Sequence, residues 1–156
     1  MLKPETEKAM QYCSRRECCR MDIFEKAVSW GCTPAEANDL VDFLVEQKFI
    51  DERRYTEAFV KDKLRFNKWG RMKISYMLHS KNIDNNIITS VLSEIDYTEY
   101  KNVLTEEIQK KIKNIRVETE YEIKGKIFRF ASSRGFETEL INEVIFSILD
   151  LQGEKN

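Results

Sequence analysis

The residues with chemistry to offer are cations and aromatic rings. From position 61 to 81, Lys61, Lys63, Arg65, Lys68, Arg71, Lys73 and Lys81 face only Asp62, and Phe66, Trp69 and Tyr76 lie among them. Cations interleaved with rings suit contact with a polyanion, the charges meeting phosphates and the rings stacking on bases. A plainer account also fits: long stems keep a helix face solvated, and the Trp69 ring serves as a packing plug. Smaller basic groups occur at Arg15, Arg16 and Arg20, and at Lys124, Lys126, Arg129 and Arg134. The candidate partner- and DNA-binding residues are therefore Arg15, Arg16, Arg20, Arg65, Lys68, Trp69, Arg71, Lys73, Lys126, Arg129 and Arg134. The Trp69-Gly70 break is expected to leave the first amides of the next helix free to meet an anion.

Catalysis has little to stand on. The single histidine, His79, sits in the basic segment with no placed carboxylate partner. No glycine-rich phosphate loop, nucleophile elbow or paired-carboxylate motif occurs. No enzyme and no cofactor are expected. The cysteines, Cys13, Cys18, Cys19 and Cys32, form no C-x-x-C and lie far from His79, so no metal site is expected. The first residues, MLKPETEKAM, lack a signal peptide's apolar run, and no stretch approaches the ~20 apolar residues of a membrane span. The expectation is a cytoplasmic monomer with reduced thiols and no membrane contact.

These groups need elements to hold them. Of the 156 residues 34% are charged, with only five glycines and two prolines, so helices with solvated outer faces are favoured over hairpins. The net charge of −1 conceals segregation, with acidic residues at 36–57, 94–107 and 137–143 and basic ones at 61–81 and 110–129. Apolar spacing predicts helices over 8–16 (Met10, Cys13, Tyr12 inward) and 20–30 (Ile23, Phe24, Ala27, Val28). Thr33-Pro34-Ala35-Glu36 reads as a capping box opening a helix that buries Ala37, Leu40, Val41 and Leu44. Asp51 caps a helix with Tyr55, Phe59 and Phe66 inward, beside Val60 and Leu64. Further helices are expected over 72–80, from Asp84 onward, and over 98–115. Two more follow, one led in by Glu118–Glu122 and the last carrying Leu140, Ile141, Val144, Ile145 and Ile148.

The second and third helices of each group repeat without gaps, at offsets of 51 and 53 residues. Ile23, Ile74 and Ile127 correspond, as do Ala27, Leu78 and Ala131. Gly31, Asn82 and Gly135 end the helix each time, followed by Cys32, Ile83 and Phe136 as an apolar plug. The fold expected is all-α, three tandem three-helix repeats forming an elongated, curved array. The divisions are 1–50, 51–96 and 97–150, with a disordered tail over 151–156.

Three segments carry a family resemblance: SRRECCRMDIFEKAVSWG, FIDERRYTEAFVKDKLRFNKWGRMKISYMLHSKNI and KIFRFASSRGFETELINEVI. They resemble the signature segments of RecX, the bacterial regulators of the RecA recombinase, over about residues 9–149. The most specific are Phe49-Ile50-Asp51-Glu52-x-Arg54-Tyr55, Trp69-Gly70 with Ile74, and Arg129-Phe130 with Arg134-Gly135-Phe136. Cys19 stands where that family usually has Ser, Lys68 where it often has Gly, and Lys48 and Asn82 where Gly is common. The resemblance implies three tandem three-helix repeats. It also implies binding to the RecA–single-stranded DNA filament, damping of ATP hydrolysis and strand exchange, and roles in DNA repair, recombination and the SOS response. The residues alone leave two other readings, a stand-alone helical DNA-binding module and a protein-only adaptor.

Overall fold

The computed structural model describes residues 2–116 and 119–154. Among them it is all-α, in the order α1 Pro4–Arg15, α2 Arg20–Ser29, α3 Pro34–Glu46, α4 Glu52–Asp62, α5 Arg71–Ser80, α6 Asn85–Ser93, α7 Tyr97–Asn114, α8 Glu120–Ser133 and α9 Thr138–Glu154. A π-helical turn, Lys63–Asn67, extends α4. The helices group in threes, as the repeat requires.

Each boundary has a local cause. Thr33 opens α3 with the reciprocal capping box its sequence announces. The Asp51 and Asp84 carboxylates accept from the Arg54 and Asn86 amides, and Asp96 and Thr119 accept from Glu99 and Glu122. α1 begins at Pro4, earlier than apolar spacing suggests, because proline in the first turn with Glu5 and Glu7 is itself a start signal. α9 runs through Glu154, whereas a tail was expected from 151; residues 155–156, and Glu118 of the α8 lead-in, lie outside the described residues.

The repeat is plainest at the helix ends. Gly31, Asn82 and Gly135 have φ of 99°, 59° and 93°. In each copy the next residue donates its N–H five positions back: Cys32 to Ala27, Ile83 to Leu78 and Phe136 to Ala131, at 3.0, 3.2 and 3.2 Å. This is the Schellman closure, which requires a left-handed residue. Lys48 and Lys68 are also left-handed, at φ 64° and 59°. Lys48, Lys68 and Asn82 thus all hold a conformation that favours glycine, at about 1–2 kcal/mol each.

The chain divides into two compact units, Met1–Phe59 with Leu78–Val91, and Val60–Met77 with Leu92–Asn156. The second helical triplet is therefore shared between them. The first unit's core joins Ala9, Cys13, Ile23, Ala27, Leu44 and Ile50, all buried. The second buries Tyr100, Leu104, Ile108, Ile127, Ile141 and Val144, with the Tyr100 and Phe136 rings 5.2 Å apart. The matched isoleucines Ile23, Ile74 and Ile127 are all fully buried, and so are Ala27, Leu78 and Ala131.

Two apolar expectations fail. Phe66 is 79% exposed, because the wider π-turn rotates residues 63–67 off the helical period that would have placed it beside Tyr55 and Phe59. Val28 is 43% exposed; one position past Ala27 is a 100° rotation, which carries it to the rim of the stripe.

Candidate nucleic-acid interface

The π-turn also shapes the candidate surface. It ends at left-handed Lys68, and the Trp69 N–H closes back on the Lys63 carbonyl at 3.0 Å. The half-buried Trp69 ring is thereby brought under two ammonium groups, Lys63 Nζ 5.2 Å and Lys73 Nζ 4.6 Å from its centroid. Its first role is to gather these cations.

Immediately after it, α5 begins in backbone contact with the end of α8. The Gly70 N–H donates to the Arg134 carbonyl at 2.7 Å and the Met72 N–H to the Gly135 carbonyl at 3.0 Å. The Arg71 N–H donates to the Tyr100 hydroxyl at 2.9 Å. The expected free anion site at this helix start is therefore absent: its leading amides already serve α7 and α8. A Cβ on Gly70 would lie 2.5 Å from the Gly135 oxygen, and one on Gly135 would lie 2.5 Å from the Lys73 nitrogen. Only a glycine pair permits the crossing.

Arg71 belongs to this crossing. Its guanidinium pairs with Glu137 at 2.8 Å and lies 4.0 Å from the Tyr100 ring centre, while the Tyr100 hydroxyl donates to the same carboxylate. Burial, reinforced by Glu137, pushes the Tyr100 hydroxyl well above its ordinary range. Arg65 is likewise engaged, by Glu99 at 2.9 Å, and Arg20 by Asp42 at 2.8 Å. These three read as open cations in the sequence because their partners lie 22 to 66 residues away. Glu99, Tyr100 and Glu137 were missed for the same reason, and no local signal marks them.

The remaining candidates stay available. Lys68 is half-buried, and Lys126 and Arg129 are exposed on α8; none of the three makes an ion pair among the described residues. Arg134 is half-buried, its guanidinium 5.0 Å from the Phe130 ring centre and donating to the Asn67 carbonyl at 3.2 Å. The structure thus brings Lys68, Trp69, Arg71, Lys73 and Arg134 together around one crossing in the second unit. Arg15 and Arg16 are exposed at the end of α1 in the first unit, with Arg16 4.1 Å from the Tyr12 ring centre. His79 is exposed on α5. Among the described residues no group of three or more His, Cys, Asp or Glu could hold a metal ion, and no helix is long and apolar enough to cross a membrane.

Family models for the second and third three-helix domains of RecX match residues 51–92 and 99–145. The regulatory protein RecX of Clostridium beijerinckii is 38% identical over 112 residues, 70% of this chain and 51% of that protein. That of Clostridium tetani is 30% identical over 147 residues, 93% of this chain and 67% of that protein. The chain thus spans about half to two thirds of the length of these relatives. The crystal structure of RecX from Lactobacillus salivarius superposes with a TM-score of 0.81, covering 94% of this chain and 95% of that one. At 20% identity this likeness speaks to the fold alone.

Proposed function

The chain belongs to the RecX family of regulatory proteins, and on that premise we propose that it modulates the RecA recombinase, mainly negatively. It binds the RecA–single-stranded DNA filament and damps ATP hydrolysis and strand exchange in repair and recombination. The observation that carries the reading is the cation–aromatic edge of the second unit, with Lys63 and Lys73 over Trp69 and Lys68 next to it in the chain. Exposed Lys126 and Arg129 on α8 add charge of the same sign. Phosphates meeting such a surface release counterions, so binding weakens with salt.

The test uses Lys68→Glu, Lys126→Glu and Arg129→Glu together and leaves Arg71 alone, since Arg71 holds the α5–α8 crossing. Lys126 and Arg129 are exposed and half-buried Lys68 makes no ion pair among the described residues, so the melting temperature should hold. Affinity for the filament and inhibition of its ATPase should fall tenfold or more. The slope of log K against log salt should flatten by about 2, from three lost contacts at roughly 0.7 each. Binding to filament, free recombinase and naked strand at two salt concentrations separates this reading from a DNA-only module or a protein-only adaptor. A folded triple variant that inhibits like the parent overturns it.

A further inference from the structure

In the first unit the corresponding helix crossing is open. Cys19 stands where Gly70 does and Asn82 where Gly135 does, at the same offsets. Both carry a Cβ, so the backbone-on-backbone approach of the second unit is not available here. Instead a cleft of about 520 Å³ lies between the start of α2 and the end of α5, within the size range of sites that take small ligands or side chains.

Its apolar wall is Met21, Phe24 and Val41. Its two cations are already engaged, Arg20 by Asp42 at 2.8 Å and Lys81 by Asp22 at 2.6 Å. Glu25 and Glu52, which also line it, make no ion pair among the described residues. Burial raises the Glu52 carboxyl above its ordinary range even though it accepts the Arg20 N–H. The exposed Asn38 and Asn82 amides add carbonyl acceptors. Glu25, outside any ion pair among the described residues, and Glu52, which holds the Arg20 N–H, stand beside an apolar, aromatic wall and call for an occupant with an apolar stem and a flat cationic head.

We propose that this cleft receives an arginine side chain of a protein partner, its stem against Met21 and Val41 and its guanidinium between Phe24, Glu25 and Glu52. Guanidinium is favoured over ammonium because its planar fork stacks on a ring and reaches two acceptors at once. The assignment stands apart from the recombinase reading, since its test contains neither DNA nor recombinase.

The experiment titrates the full chain, 13C-methyl-labelled at methionine, with an acetyl-Leu-Arg-Leu-amide peptide and follows Met21. The arginine peptide should shift the Met21 methyl saturably, with citrulline and lysine versions at least tenfold weaker. Glu25→Gln and Glu52→Gln, each retaining parental circular dichroism, should weaken the arginine peptide tenfold or more. The citrulline comparison needs no variant, so a folding defect cannot hide the answer. No saturable shift, equal binding of citrulline, or unchanged affinity in both Gln variants overturns the proposal. Ethylguanidinium binding as tightly as the peptide overturns the protein source and makes the cleft a small-molecule site.

Discussion

The two helix crossings are built on one plan and finished differently. At the start of α5, Gly70 and Gly135 let backbones touch, and the Gly70 and Met72 amides donate across the gap. At the start of α2, Cys19 and Asn82 occupy those places, and side chains complete the crossing: Lys81 to Asp22, and the Arg20 amide to Glu52 at 3.4 Å. One crossing is closed by backbone against backbone. The other is bridged by charged side chains and stays open as a cleft of about 520 Å³. The difference at the two matched positions is two glycines against two residues that carry a Cβ.

Breaking the closed crossing should have the largest effect. Gly135→Ala combines a φ of 93° with a methyl 2.4 Å from the Lys73 Cβ. Overlap at about 1–3 kcal/mol and backbone strain of about 1–3 kcal/mol together predict a loss of about 2–6 kcal/mol in urea unfolding. Gly31→Ala is the control, because φ is 99° there but nothing lies within 4 Å of the new methyl. It should lose about 1–2 kcal/mol. Equal losses would mean that the contact relaxes freely and the crossing is not tightly closed.

Next comes the polar side of the same crossing. Tyr100→Phe leaves the Arg71 N–H and the Glu137 carboxylate short of a partner and should lose about 1–3 kcal/mol. The hydroxyl pKa is raised in the folded state, so its stabilising share is present below the ordinary tyrosine pKa and is lost as pH rises above it. The alkaline fall in stability should therefore be shallower in Tyr100→Phe, with buried Tyr55, Cys18 and Cys19, also raised, contributing to what remains. An unchanged alkaline limb would dismiss the Tyr100 account.

The open crossing should respond more mildly. Asn82→Ala removes a residue tolerant of φ 59° and should lose about 1 kcal/mol, while Asn82→Gly should be near neutral. If both variants lose equally, the Asn82 side chain rather than its backbone matters. Smallest of all, Glu52→Gln should raise the melting temperature slightly at pH 7. The folded Glu52 carboxyl is raised, so ionising it opposes folding at neutral pH, and the advantage of Gln should vanish as the pH falls through the carboxylate range. A fall in melting temperature at pH 7 would show that the dipole at the start of α4 outweighs burial.

The sequence by itself determined most of what depends on near neighbours. Apolar spacing gave the helices and the buried columns Ile23, Ile74 and Ile127; Thr33, Asp51 and Asp84 gave their starts; Gly31, Asn82 and Gly135 gave their ends. Each of these rests on groups a few positions apart, where helical geometry fixes who meets whom. Three features emerged only in the folded chain. The π-turn put Phe66 outside and drew Lys63 and Lys73 onto Trp69. Glu137, Glu99 and Asp42 took Arg71, Arg65 and Arg20 out of the free basic surface. The α5 amides went to α7 and α8 instead of to an anion. In the last two cases the deciding partner is brought near only by packing between helices, whereas the π-turn is a local closure, Trp69 N–H to the Lys63 carbonyl, that apolar spacing does not mark. A run of cations shows where charge stands in the chain, but which charges remain open depends on the carboxylates folded against them.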